Sequence, residues 1–389
     1  MLELQDLVST AQGRELLAQG AMFTDPVAFA AALLPSASSA LHGLAEVPRD
    51  GLLVHCGQQV CTDYAPSTLT KFAAAAALAP QAGVEPVVLW QDADRADSER
   101  FGIRFVLPKG DHTFGIPLAS RATSHQELRF AALTSQGIDE AARNLRNWLT
   151  GWMKNRAKPE RIASTERLDR LCEVMRAGGP GEVLGEFNAR VAEFLLADAY
   201  PQRLPTVQLS RMLGLGLLTE SLERYITHVD DVVKVFNETV TALIDSGVDP
   251  QLHLLGDDYL PLNFSCPNTG RRTHMVRETA GGRTLAVARC DCKEEQHTFD
   301  LGHGRSISLD ALVATGRWSP DVSAPLHCLH LSSGWVVGRS SALYGIVLNA
   351  VAERALGLAP NPGLVPPAYV STGGGEADEH SLLVRYLTR

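Results

Sequence analysis

His55, Gly57, Gln58 and Gln59 follow the apolar run Leu52-Leu53-Val54, and Ser67, Thr68 and Lys71 follow them within one more turn and the start of a helix. A glycine-containing polar turn between a strand-like run and a helix is how a nucleotide-handling α/β site usually begins. A second apolar run, Pro86-Val87-Val88-Leu89-Trp90, ends in Gln91-Asp92-Ala93-Asp94. Two carboxylates thus stand at a strand's carboxyl end, where open parallel sheets bind their ligands. Late in the chain, Gly334-Trp335-Val336-Val337 meets Gly338-Arg339-Ser340-Ser341 and then a helix, Ile346 to Leu356. The N–H groups opening such a helix, with Arg339, suit an anion, although strand, glycine, serine and helix is also a generic tight connection.

A different chemistry is offered by Cys266-Pro267-Asn268-Thr269-Gly270 and by Cys290-Asp291-Cys292, with His297 five positions on. Two cysteine-bearing turns joined through a short strand are the plan of a zinc ribbon, in which thiolates from two knuckles close a tetrahedral site. A complete ribbon carries Cys where Thr269 stands, so the expected ligands are Cys266, Cys290, Cys292 and His297, with His274 the next nearest imidazole. Such a zinc would be structural, stapling a small β insertion that lacks a core of its own. Metal-free buried thiols are the other reading. Seven cysteines scattered over 389 residues fit reduced thiols better than a disulfide framework.

The elements that must position these groups alternate. The helix after the first strand carries Leu69, Phe72, Ala73, Ala76 and Ala77 at helical spacing and is stopped by Pro80. A third strand is expected over Gly102 to Leu107, closed by Pro108. Strands alternating with helices imply a parallel sheet. Residues 124–256 read as helical, with Leu168, Leu171, Val174 and Met175 on one stripe and Val232, Val235, Phe236, Val240 and Leu243 on another. The expected fold is therefore an α/β, Rossmann-like parallel sheet interrupted by a helical insertion and a zinc-ribbon insertion. Its parts are an N-terminal helical cover (1–50), a first half of the core (51–123), the helical insertion (124–256), the ribbon (257–303) and a second half of the core (304–389).

Composition narrows the function. With 45% hydrophobic and 20% charged residues the chain is a soluble globular type with ample core. A formal charge of −9 argues against a general nucleic-acid binder. The absence of a long apolar run and of a basic-then-apolar N-terminus places it in the cytoplasm.

Gly57-Gln58-Gln59, the Pro66 turn, Lys71, the Trp90-Gln91-Asp92-Ala93-Asp94 strand end, Ser319-Pro320-Asp321-Val322 and the Val337-Gly338 to Tyr344 segment occur in an order that resembles the bacillithiol-forming cysteine-adding enzymes. That family is itself similar to class I aminoacyl-tRNA synthetases. The ribbon, with its Cys-Pro and Cys-x-Cys turns followed by Arg317-Trp318, is similar to that of class I lysyl-tRNA synthetases. The chain departs from the cysteine-adding pattern in having no histidine beside Asp92 and Asp94, fewer glycines in the first loop, and no long C-terminal coiled coil of the kind that pairs subunits there. Homodimerisation is left open.

The resemblance implies a ligase that joins an amino acid, cysteine being the first candidate, to an amine acceptor after activating its carboxylate with ATP. On that reading His55, Gly57, Gln58, Gln59, Ser67 and Thr68 embrace the nucleotide from one side, and Gly338, Arg339, Ser340 and Ser341 from the other. Lys71 and Arg339 balance phosphate charge, while Asp92, Asp94 and Asp321 hold the amino group or orient the attacking amine. Plainer roles stand beside these: Gln58 and Gln59 bonding the turn, Asp92 capping a helix, Lys71 solvated on its helix. His55 and Cys56, being adjacent on a strand, point to opposite faces and make no nucleophilic pair. The rival functions are a synthetase-like enzyme that loads RNA or a carrier, and a non-catalytic ribbon-bearing interaction protein.

Overall fold

The computed structural model describes residues 2–34, 40–96, 104–119, 123, 125–179, 181–200, 204–290, 296–321, 330–367 and 380–389. In chain order the first strands are β1 (Met22–Phe23), β2 (Leu53–Gln59), β3 (Glu85–Gln91), β4 (Arg104–Lys109), β5 (His112–Pro117) and β6 (Thr206–Gln208). Then follow β7 (Tyr259–Ser265), β8 (Arg272–Ala280), β9 (Arg283–Arg289), β10 (Gln296–His303), β11 (Ser306–Ile307) and β12 (Trp318–Pro320). The last are β13 (Gly334–Val336) and β14 (Gly363–Leu364).

Six of these form one parallel sheet in the order β1-β14-β13-β2-β3-β6. Successive side chains on its central strands enter different cores. Leu53, Val87 and Leu89 join one cluster, while Val54, Cys56, Val88 and Trp90 join another. Both faces are covered, which is why these strands read as continuous apolar runs. Against the Val54 and Trp90 face lie Phe72, Ala75 and Leu78 of helix Pro66–Ala82, three further long helices between Ser135 and Ala199, and the C-terminal helix Leu382–Thr388. On the opposite face, helices Val229–Asp245 and Arg339–Arg354 cover Trp335 and Val337, the residues at and just past the end of β13.

The other half of that face meets a six-stranded antiparallel sheet, β11-β10-β9-β8-β7-β12. Leu260, Leu262, Phe264, Met275, Ala286 and Ala288 of this sheet pack with Leu53, Val87 and Leu89. One antiparallel face is thus buried, and β8 and β9 keep exposed ends.

Four expectations about the elements differ from this arrangement. The strand expected over Gly102 to Leu107 is β4, which pairs with β5 in a separate hairpin and takes no place in the parallel sheet. That place beside β3 belongs to β6, only three residues long, delivered from within the region read as helical. A strand so short has no periodicity to read. Strand β1 likewise comes from the N-terminal region read as helical cover. Finally, the antiparallel sheet reaches beyond residue 303, because β11 and β12 complete it and β12 buries Trp318 and Ser319 against β7.

Local packing fixes the loop from β2 into helix Pro66–Ala82. Tyr64 stacks on Trp90 with ring centroids 5.7 Å apart and meets Phe72 edge-on at 5.3 Å. Aromatic pairs of this kind add roughly 0.5–1.5 kcal/mol each beyond their area. The Tyr64 hydroxyl also accepts the Cys61 amide at 3.1 Å, so the loop is pinned to the strand whose end it adjoins.

Candidate functional site

Strand β2 connects through helix Pro66–Ala82 to β3 on one side, whereas β13, its other neighbour, connects through helix Arg339–Arg354 to β14 on the opposite side. The strand order therefore reverses between β2 and β13, and such a switch point opens a crevice at the carboxyl ends of the two strands. The structure brings Gly57, Gln58 and Gln59 to one wall of this crevice and Gly338 to the other. Lys71 lies between them. Its Nζ donates to the Gly57 carbonyl at 2.6 Å and to Gln58 Oε1 at 3.0 Å. A Cβ added at Gly338 would stand 3.8 Å from Lys71 Cδ and 3.6 Å from Ser341 Oγ, so the two helices approach closely here.

Lys71 is buried, and burial lowers its pKa below the ordinary lysine value. An ammonium with two acceptors and a helix N-terminus as neighbours is a cation that an anion would stabilise. The solvated-lysine alternative is excluded by this burial. Gln58 takes part in the Lys71 bond, and Gln59 Nε2 donates to the Arg95 carbonyl at 3.0 Å, tying the ends of β2 and β3. Gln91, not singled out from sequence, faces Gly57: its Nε2 would be 3.2 Å from a Cβ there.

The remaining nucleotide-side residues divide. Arg339 and Ser340 are exposed on the first turn of their helix, and Ser341 Oγ and the Tyr344 hydroxyl share a 2.6 Å hydrogen bond. Ser67 is exposed and Thr68 half-buried on the first turn of helix Pro66–Ala82. His55 is not at the rim. It is fully buried, its Nδ1 lies 2.5 Å from Ser332 Oγ, and its ring stacks on Trp335 with centroids 6.2 Å apart. Burial first, and then the Lys71 charge, lower its pKa to about 3. An imidazole so buried, bonded to Ser332 and stacked on Trp335, supports the strand end from within the core.

At the end of β3 the two neighbouring carboxylates part company. Asp92 is buried, and its oxygens accept the amide of Ser210 at 2.9 Å and the Ser210 hydroxyl. Ser210 sits in the first turn of helix Leu209–Gly214, so Asp92 caps that helix. Burial raises its pKa, with the Ser210 bonds opposing. Asp94 turns the other way, 38% exposed, 3.5 Å from Arg272 Nη1. Arg272 opens β8, so the antiparallel sheet contributes to this corner.

Behind Arg272 lies a buried ionic group that sequence reasoning missed. Glu127 is fully enclosed, pairs with Arg129 at 2.6 Å, and accepts the Ser319 hydroxyl at 2.7 Å. Arg129 also donates to the Trp318 carbonyl at 2.5 Å. Glu127 and Arg129 are two residues apart, but Trp318 and Ser319 lie 189 and 192 residues beyond Arg129 and Glu127, so no local signal joins the two pairs. Asp321 is placed on the antiparallel sheet: its amide donates to the Pro261 carbonyl at 2.8 Å, and its carboxylate accepts the Tyr259 hydroxyl at 3.3 Å.

The cysteine turn is built locally. The Gly270 amide donates to the Cys266 carbonyl at 2.8 Å, and Gly270 adopts φ +70°, which closes a tight knuckle at the end of β7. Burial would push the Cys266 thiol up, but the Thr269 hydroxyl and amide, His297 and the Asn268 amide together bring its pKa down to about 6. Amides aimed at sulfur are what a thiolate ligand requires. Thr269 Oγ1 lies 3.6 Å from Cys290 Sγ, so this hydroxyl stands between two thiols, where a ribbon would carry its further cysteine. His274 instead stacks on Tyr259, centroids 5.8 Å apart. Among the described residues no group of three His, Cys, Asp or Glu is arranged to hold a metal ion. Cys292 lies outside the described residues. The described members of the expected set, Cys266, Cys290 and His297, are thiol and imidazole donors of the kind zinc takes, but they are not gathered into one metal site.

A cavity of about 1050 Å³ lies elsewhere, beside the free edge of β6, walled by Glu46, Arg190, Tyr200, Gln208 and Arg211. Its arginines are engaged, Arg211 with Glu46 and Arg190 with Glu182. None of the sequence-predicted residues lines it. With the geometry in hand, the chain matches no known protein-family model and no curated protein. What the fold defines is an α/β protein with a six-stranded parallel sheet whose strand order reverses between β2 and β13. Among its described residues no helix is long and apolar enough to cross a membrane.

Proposed function

We propose that this protein is an amide-forming ligase of the cysteine-adding type, which activates the carboxylate of an amino acid with ATP and passes the acyl group to an amine. The observation that carries the reading is the buried Lys71, set between the Gly57 and Gln58 wall and the N-terminus of helix Arg339–Arg354 at the switch point. A buried ammonium facing helix-terminal amides suits phosphate. In the reaction a carboxylate oxygen attacks the α-phosphorus, pyrophosphate leaves, and the acceptor amine then attacks the acyl carbon and displaces AMP. Lys71, Arg339 and the helix amides would balance the charge that grows on the departing pyrophosphate. The crevice holds the carboxylate in line with the phosphate, which is the larger share of such catalysis.

Asp94, exposed beside the crevice, is the carboxylate available to an ammonium; Asp92 is committed to its helix. Zinc in the ribbon, bound by Cys266, Cys290, Cys292 and His297, is part of the same proposal with a structural role. Reduced thiols and this substrate class fit a cytoplasmic enzyme acting on small molecules, without nucleic acid.

Purified protein with ATP and each standard amino acid should release pyrophosphate selectively with one of them, cysteine first, and show thermal stabilisation by ATP. Absence of both responses for every amino acid would sink the enzyme reading and leave the ribbon-bearing interaction protein as the better account.

A further inference from the structure

Arg272 is a guanidinium with three acceptors around it and none at an ordinary hydrogen-bond distance. Its Nη1 lies 3.5 Å from Asp94 Oδ1, and its Nε lies 3.4 Å from Ser319 Oγ and 3.5 Å from Glu127 Oε1. Charge-assisted N–H···O bonds ordinarily run about 2.7–2.9 Å. Arg272 is nevertheless 12% exposed, held at the seam by β8 and β12, while Glu127 behind it is already paired with Arg129 and Ser319. Asp94, in front of it, is the open member. The backbone around Asp94 is fixed: its carbonyl accepts the Leu128 amide at 3.0 Å, and its carboxylate accepts the Arg95 amide at 2.8 Å. A largely buried guanidinium and a part-exposed carboxylate therefore stand side by side just past the end of β3, the strand that pairs with β2 at Gly57 and Gln59.

We infer that Arg272 and Asp94 form a clamp for the zwitterionic head of an α-amino acid, Arg272 taking the α-carboxylate and Asp94 the α-ammonium. The inference rests on the amino-acid reading above and adds to it a binding residue from the antiparallel insertion. A carboxylate matches the planar guanidinium with two parallel bonds, which the present long contacts leave unmade. The ligand would insert into the loose Arg272–Asp94 contact, replacing one weak pair by two close ones.

The test is calorimetry without nucleotide, using each of the twenty standard amino acids, and then the methyl ester and the N-acetyl form of the tightest binder. The clamp predicts that either cap weakens binding by about tenfold or more, the scale of a lost charge-assisted bond. Arg272→Ala should abolish sensitivity to the ester, and Asp94→Asn sensitivity to the acetyl cap, each in protein whose circular dichroism is unchanged. Should Arg272→Ala not fold, the ligand caps and Asp94→Asn carry the test alone. Binding indifferent to both caps, or no binding of any amino acid, overturns the clamp. Stabilisation by ATP, measured in the same preparations, decides the nucleotide site independently.

Discussion

The crevice between β2 and β13 and the knuckle at Cys266 are both polar sites at strand ends, but they are assembled over different distances along the chain. Lys71 reaches back across a strand and a helix to Gly57 and Gln58, and its other neighbour, Gly338, comes from the far end of the sequence. Only the order of the parallel strands brings them together. The knuckle closes within one turn, Cys266 to Gly270, and is met there by Cys290 and His297 of neighbouring segments. A site made by topology inherits rigid walls and an electrostatic setting from the whole sheet. One made by a hairpin turn inherits only its own amides, and any bound metal would repay that with stability, not chemistry.

The contrast between the two sites breaks most visibly at Lys71. Lys71→Met keeps the buried apolar stem and removes the amine, so pyrophosphate release should fall by roughly 10²–10³-fold, as for other groups that stabilise transition-state charge. Melting temperature should move by only a few degrees, because a desolvated amine is itself a cost that the variant relieves. A loss of activity below about tenfold would mean that Lys71 merely bonds the turn.

At the knuckle the expected balance is reversed. Cys266→Ala should reduce bound zinc, measured by elemental analysis, and lower stability by more than about 2 kcal/mol in urea titrations, as losses of a structural metal do. Turnover per folded molecule should fall far less than at Lys71, since the knuckle lies on the antiparallel sheet and meets the proposed clamp through Arg271, whose carbonyl accepts the Cys266 amide at 2.9 Å. Equal metal content in wild type and variant refutes the ligand set.

Legibility in the sequence followed the same division. The strands β2 and β3, the helix between them and the later Gly338 turn were readable because apolar runs, alanine spacing and glycine punctuate them locally. So was the Cys266 turn. The two-residue and three-residue strands β1 and β6 carry no period, and the pairing of β4 with β5 depends on partners that a single run does not name. Glu127, Arg129 and Arg272 form a buried ionic group because the segment 125–131 bonds both to the turn after β3 and to the start of β8, a meeting with no trace in spacing. Asp92 and Asp94 looked alike in sequence; which one caps a helix was decided by where Leu209–Gly214 docks.

That last pair sharpens the contrast within one turn of chain. Asp92→Ala removes the acceptor for the Ser210 amide and hydroxyl and should destabilise by roughly 1–2 kcal/mol, the usual loss for a helix cap. Asp94→Ala should stay within about 0.5 kcal/mol, and differ from Asp92→Ala by showing its effect in amino-acid binding. Chemical denaturation of both variants separates the two; equal destabilisation would mean that Asp94 is structural.

The effect confined to one pH range lies in the loop that leads out of β2. Asp63 Oδ1 accepts the amides of Tyr64 and of Leu383, each at 2.8 Å, tying the wall of the crevice to the C-terminal helix, and burial raises its pKa to about 6 despite these bonds and one to Ser381. A carboxyl that is 3.8 in the unfolded chain and about 6 when folded holds its proton more tightly in the native state. Its contribution is therefore complete below the unfolded value and is lost as pH climbs through the window between them. An asparagine side chain keeps the same oxygen for both amides without the charge, so Asp63→Asn should raise stability at pH 7 by up to about 3 kcal/mol and leave it unchanged at low pH. Urea unfolding from pH 4 to pH 7 checks this, the gap opening as pH rises. A variant less stable than wild type at pH 7 would show that the ionised carboxylate's bonds to Tyr64 and Leu383 outweigh its burial.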